Sequence, residues 1–217
     1  MINQENTPSV WKLPEPTLRR LPWYLAFVKL LKGKGEIYVS STQIAKEINV
    51  DSSQVAKDLS FVNVSGKTRV GYEIETLIAV LEDFLGFTIQ HKTFLFGVGS
   101  LGAALLQDSG LKQYGLEIVA GFDIRRELEG TTVNGIPVFH ISEFPARQKT
   151  LDATIGIITV PVDQAQDVAD HLVAEGVRAL WNFTPCRIRV PENVVVQNTS
   201  IYAHLAVMFN RLGFINP

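Results

Sequence analysis

Apolar residues recur at helical spacing in the first third of the chain and in short continuous runs after it. Leu18, Leu21, Leu25, Val28 and Leu31 share one face of "LRRLPWYLAFVKLLKGKG", which predicts a helix stopped by Gly33 and Gly35. Residues 1–16 hold three prolines and few core candidates, so a flexible lead-in is expected there. Ser40 with Gln43 fits a capping box ahead of a short helix with Ile44 and Ile48 inward. Asn49-Val50-Asp51 reads as a tight turn. Asp51 with Gln54 offers a second capping box, opening a helix with Val55, Leu59 and Val62 inward. Two short helices around a three-residue turn make helix-turn-helix geometry. "NVSGKTRVGY" follows as a glycine-centred loop shaped like a wing, and "EIETLIAVLEDFLGF" as a closing helix.

The pattern then changes. "KTFLFGVGSLGAALL" reads as strand, turn and helix; "LEIVAGFD", "GIPVFH" and "DATIGIITV" read as strands. "PVDQAQDVADHLVAEG" is an amphipathic helix, "VRALWNF" and "VVVQN" are two more strands, and "SIYAHLAVMFNRLGF" is a short amphipathic helix. That last helix either docks on its own domain or reaches a partner subunit. Strand–helix alternation predicts a parallel sheet with its ligand at the carboxyl ends of the strands. The expected architecture is α/β, with a winged helix-turn-helix domain at 17–87, a Rossmann dinucleotide-binding domain at 88–198 and a terminal helix at 199–217.

Gly97, Gly99 and Gly102 complete a G-x-G-x-x-G turn, with Val98, Ser100 and Leu101 between them. The first glycine permits the tight turn, the second lets backbone approach a pyrophosphate and the third lets helix and strand pack closely. Asp123 ends the next strand, placed to accept ribose hydroxyls and repel a 2′-phosphate. NAD is therefore favoured over NADP, with Arg125 and Arg126 close enough to soften the preference. Thr159, Val160 and Pro161, and Asn182 and Phe183 leading to Pro185, lie at strand ends. They either flank a nicotinamide or form ordinary strand-to-helix loops.

On the helix-turn-helix, Ser52, Ser53, Gln54 and Lys57 face outward. Gln pairs with adenine through two hydrogen bonds, and Lys reaches guanine acceptors or phosphate. Lys67 and Arg69 at the wing tip suit the DNA backbone. The same helix pair is also a common packing unit, in which Lys57 would simply be solvated. Charge favours a polyanion partner for this domain only. The whole chain carries a formal −2, but Val10–Tyr72 holds ten Lys/Arg against five Asp/Glu, while the segment from Phe87 onward holds ten against twelve.

Other chemistry is sparse. Cys186 is the single cysteine, so no intrachain disulfide or multi-cysteine zinc site forms. His91, His171 and His204 lack metal-ligand spacing, and no metal is expected. His140 follows a strand as a conceivable general base without an acidic partner nearby in sequence. No run approaches the roughly 20 apolar residues of a membrane span. The N-terminus lacks a secretion signal's basic start and apolar core, so a cytoplasmic protein is expected.

In order and spacing, "LPWYL", "SSQVAKDLS", "GKTRVGY", "GVGSLGAAL", "FD", "TVP" and "NFTP" resemble the Rex redox-sensing transcriptional repressors of bacteria, over nearly the whole chain. The resemblance implies a homodimer whose last helix is exchanged between subunits. It implies binding to double-stranded operator DNA when NADH is scarce, release by NADH, and no catalysis. The DNA-contacting set it implies is Ser41, Ser52, Gln54, Lys57, Ser60, Lys67 and Arg69. There are departures. Ala56 stands where the family has an arginine, removing a base contact worth about 1–3 kcal/mol of discrimination, and the wing arginine moves one place to Arg69. Ala26 and Ser200 replace an arginine and an aspartate that pair between subunits, and Asp108 replaces a tyrosine near the nicotinamide. Two other readings stand beside this one. The first is an NAD-dependent oxidoreductase using His140, its N-terminal helices serving assembly. The second is a nucleotide sensor, for coenzyme A as one example, without specific DNA binding.

Overall fold

The structure is a computed structural model that describes residues 13–215, and the chain divides between Thr88 and Ile89 into two units. In the first unit, helix α1 spans Glu15–Gly33. It opens inside the stretch expected as a lead-in, because Pro14 and Pro16 flank its first residue and proline's missing N–H costs nothing in a helix's first turn. The rest of that expected lead-in, residues 1–12, lies outside the described residues. Leu21, Leu25 and Val28 are buried as their spacing predicts, but Leu18 is exposed. Thr17 takes the inward place beside it, drawn to a buried carboxylate described below.

Strand β1 (Tyr38–Val39) leads to α2 (Ser41–Ile48), whose capping box forms: Ser40 Oγ accepts from the Gln43 N–H, and Gln43 Oε1 accepts from the Ser40 N–H. Asn49, in the left-handed region, ends α2, and α3 (Ser52–Phe61) follows at once. The second expected capping box is absent; Asp51 makes no side-chain cap and Gln54 turns to Asp58 instead. β2 (Tyr72–Glu73) pairs antiparallel with β1, and the loop before it closes on itself through Lys67 and Gly71. Helix α4 (Ile74–Phe84) completes the unit, burying Leu77 and Leu81 against α1.

The second unit holds β3 (His91–Phe96), α5 (Ser100–Gln107), α6 (Gly110–Gln113), β4 (Leu116–Asp123), β5 (Thr132–Val133), β6 (Ile136–His140), α7 (Phe144–Leu151), β7 (Ile155–Ile158), α8 (Ala165–Ala174), β8 (Ala179–Asn182), β9 (Val195–Asn198) and α9 (Ile201–Ile215). The sheet order is β5-β6-β4-β3-β7-β8-β9, parallel throughout except for β5 against β6. The alternation is less regular than expected. No α-helix joins β4 to β6 or β8 to β9. Helix α7 escaped the sequence because only Phe144 and Gln148 of its eight residues are buried, too few for a period. Phe94, Phe96, Phe122 and Phe144 interlock mostly edge to face at 5.0–5.8 Å and stiffen the sheet beneath the site.

Helix α9 groups with the second unit. It is not amphipathic in its surroundings: Ile201, Tyr202, Val207, Phe209 and Leu212 are each more than half exposed.

Candidate functional site

The chain runs from β3 to β4 on one side and from its neighbour β7 to β8 on the other, and a crevice opens at the carboxyl ends where these connections part. The glycine turn sits there. Gly97 has φ +92°, and a Cβ on it would lie 2.9 Å from the backbone of Thr159 and Val160. A Cβ on Gly102 would collide with the Gly97 carbonyl oxygen, so α5 packs against the turn only as glycine. Packing therefore explains two of the three glycines. It does not explain Gly99, which has ordinary extended φ and no atom within 4 Å of its would-be Cβ. The open side of Gly99, at the N-terminus of α5, offers the bare backbone and unpaired N–H groups that a pyrophosphate uses. The residues present thus fit a dinucleotide.

The cleft above the turn has a volume of about 390 Å³. Gly97, Gly99, Asp123, Arg125 and Thr159–Pro161 line it, over a floor of Phe96 and Phe122. Ile124 and Ile141 add an apolar wall that sequence reasoning missed; the available signal was an isoleucine directly after each of two strand ends, Asp123 and His140. The Thr159 hydroxyl donates its one hydrogen to the carbonyls of Phe96 and Gly97, tying β7 to the turn. Val98 is buried and its N–H donates to Asp123 at 2.7 Å; Ser100 and Leu101 are exposed on the first turn of α5.

Asp123 is 7% exposed. Burial pushes its carboxyl pKa up, but the Arg125 side chain and the N–H groups of Arg125 and Val98 outweigh that and hold it below the usual range.

Other expected site residues lie elsewhere. Asn182 is fully buried, donating to Cys186 O and Asn198 Oδ1 and accepting from the N–H and hydroxyl of Thr184. It holds the turn after β8 and is outside the cleft lining, as is Phe183, whose ring packs 4.7 Å from Trp181. His140 pairs Nδ1 with Ser142 Oγ at 2.8 Å. Asp108 accepts from the Gly110 N–H to end α5, and Ser200 Oγ caps α9 through the Ala203 N–H. Ala26 lies in a groove with Trp23, Phe27, Leu30, Glu47 and Ile48. No group of three His, Cys, Asp or Glu among the described residues could hold a metal.

In the first unit, Ser52, Ser53, Lys57, Ser60, Lys67 and Arg69 are exposed, and Ser41 and Gln54 are half-buried. Ser41, Lys67 and Arg69 surround one depression of about 340 Å³ between α2 and the wing, which suits a phosphate of the DNA backbone. Gln54 Nε2 donates to Asp58 Oδ1 at 2.8 Å. Asp58, which sequence reasoning left without a structural role, is fully buried and accepts from Thr17, Arg20 (twice), Tyr24 and Gln54. It fastens α3 to α1 and fixes which edge of the Gln54 amide stays free.

A winged helix-turn-helix joined to a dinucleotide fold is the architecture of a ligand-responsive DNA-binding regulator. Residues 12–60 match the family described as "Putative DNA-binding protein N-terminus", and residues 88–186 match the "CoA binding domain" family. The chain is 67% identical to the redox-sensing transcriptional repressor Rex of Bacteroides fragilis, over 99% of this chain and 97% of that one. It also resembles crystal structures of RSP, a Rex-family repressor. One is a complex with β-NAD+ and operator DNA, at 29% identity and TM-score 0.87 over 92% of each chain. Another is a complex with β-NADH, at TM-score 0.84 over 93% of this chain and 94% of that one. The chain belongs to the Rex family of redox-sensing transcriptional repressors.

Proposed function

We propose that this chain represses transcription as a homodimer bound to operator DNA, and that NADH in the cleft releases it. The observation that bears most weight is Gly99, a glycine the fold does not need, beside a cleft with no catalytic constellation. The backbone from Gly97 to Gly102 would hold the pyrophosphate, while Thr159, Val160 and Pro161 would shape the nicotinamide side. The nicotinamide, when bound, supplies the redox state that is read. NADH acts only if it prefers the arrangement that does not bind DNA. Lys57, Ser52 and the free edge of Gln54 would face bases; Ser41, Ser60, Lys67 and Arg69 would face phosphates. The exposed apolar face of α9 supplies the dimer contact, by exchange with a second subunit. Catalysis has no place in this reading: His140 is engaged by Ser142, and the relatives are repressors. No helix among the described residues is long and apolar enough to cross a membrane, in keeping with a regulator that works in the cytoplasm.

Selection from a random duplex pool tests the DNA half. A preferred sequence should emerge. Lys67→Ala and Arg69→Ala should then weaken binding evenly across sequences, each lowering the slope of log affinity against log salt by about 1. A pool that never rises above random duplex would remove the repressor reading.

A further inference from the structure

Past Pro161 the chain makes one short helical turn, Val162–Gln164, and enters α8 with Gln164 at the N-cap. That position favours Ser, Thr, Asp or Asn, whose short side chains reach the free N–H groups of the first helical turn. Gln164 makes no such bond. Its side chain is half-buried and lines the cleft, together with Val168 one turn further along α8. Among the other polar side chains of that lining, Asp123 offers only acceptors, Arg125 offers only donors, and the Thr159 hydroxyl is tied to two carbonyls. Gln164 alone keeps both a donor and an acceptor with no partner among the described residues.

The walls around this amide are apolar. Ile124 and Ile141 stand just past the ends of β4 and β6, and Val168 is buried in one cluster with Phe96 and Phe122. In the sheet order, β4 and β6 lie on the far side of β3 from β8. These walls therefore flank the Asp123 end of the cleft, where the motif places the adenosine half of a dinucleotide. Apolar walls suit the faces of a purine, but the polar atoms on its edge lose water on entry and need partners. A glutamine amide matches adenine there: Oε1 accepts from the 6-amino group while Nε2 donates to the ring nitrogen beside it. We infer that Gln164 reads the adenine edge and makes the cleft select its base. The inference rests on the dinucleotide reading above and names the residue that recognises the ligand at the end remote from the nicotinamide.

The test compares NADH with the reduced dinucleotide in which unsubstituted purine replaces adenine, so that only the amino group is missing. Titration of the full-length protein, followed by nicotinamide fluorescence, should show NADH binding tighter by about fivefold, the scale of one hydrogen bond. Gln164→Ala should weaken NADH by about tenfold and bind the two ligands within about twofold of each other. Gln164→Glu keeps an acceptor for the amino group but sets a carboxylate against the ring nitrogen. It should weaken both ligands and retain the preference for NADH. A purely structural role for Gln164 would not separate the two variants in this way. A parent protein that binds both ligands within about twofold would overturn the inference. So would a Gln164→Ala protein that keeps the full preference, or a Gln164→Glu protein that loses it. Failure of NADH itself to bind the parent protein would end the dinucleotide reading and this inference together.

Discussion

Gly99→Val is expected to weaken NADH binding by about 100-fold or more while the melting temperature falls by no more than about 4 °C. Residue 99 has extended backbone and open space around its would-be Cβ, so the fold tolerates a side chain there. The only fold cost is the poorer N-cap on α5, about 1 kcal/mol, which corresponds to about 2–4 °C in a chain of this size. The ligand cost is large because the side chain fills the path by which backbone reaches the pyrophosphate. Gly102→Ala makes the contrast. Its Cβ meets a backbone oxygen that cannot move aside, so about 1–3 kcal/mol of stability should go, and dinucleotide affinity with it. Thermal melts and NADH titrations on the two variants check the pair. If Gly99→Val bound NADH within tenfold of the parent, or unfolded as readily as Gly102→Ala, the open glycine would be a packing feature. The repressor reading adds that Gly99→Val leaves its operator only at NADH concentrations about 100-fold above those that release the parent.

Asp58→Ala is expected to cost the first unit about 3–5 kcal/mol, a large share of a typical 5–15 kcal/mol margin. The substitution deletes the acceptor for Thr17, Arg20, Tyr24 and Gln54 at once, and leaves the buried Tyr24 hydroxyl without it. Operator affinity should fall with stability, because α3 is held to α1 through this carboxylate, while NADH affinity should persist. Denaturant unfolding at pH 7 and binding assays check both halves. The pH dependence has a definite sign. Burial pushes the Asp58 carboxyl up, but hydrogen bonds from Arg20, Tyr24, Gln54 and Thr17 outweigh it and hold the pKa at about 2, against 3.8 unperturbed. A depressed carboxylate pKa stabilises above the unfolded value and stops doing so as pH falls from about 4 through about 2. Asp58→Asn should therefore be less stable than the parent at pH 7, with the gap closing across that window. A gap independent of pH would mean that the cluster's contribution is packing rather than charge.

These two sites show what the sequence made legible. The glycine turn, its flanking strand and helix, the Ser40–Gln43 cap and the helix-turn-helix are local features, set by residues within a few positions of one another. They could be read directly. Asp58 could be placed on the inward face, three residues after Val55 and four before Val62, but its partners could not be named, because those on α1 lie 34–41 residues away. The same tertiary pull drew Gln54 from the expected cap and Thr17 inward at the expense of Leu18. At the cleft, sequence spacing found Asp123 but not that Arg125, two residues on, closes over it. Asn182 is a further case, a strand-end polar residue whose amide turns inward to Thr184, Cys186 and Asn198. Long-range hydrogen bonding decides such residues.

The central claim is that the state of the dinucleotide in the second unit controls DNA binding by the first. The most direct measurement is operator affinity of the full-length protein, on the duplex it selects, with excess NADH and with excess NAD. We predict that NADH weakens binding by about 100-fold, a coupling of about 2.7 kcal/mol, and that NAD does not. An affinity that NADH leaves unchanged would contradict the account. It would mean that Ala26 and Ser200, where the family pairs opposite charges, have left the dinucleotide site uncoupled from DNA.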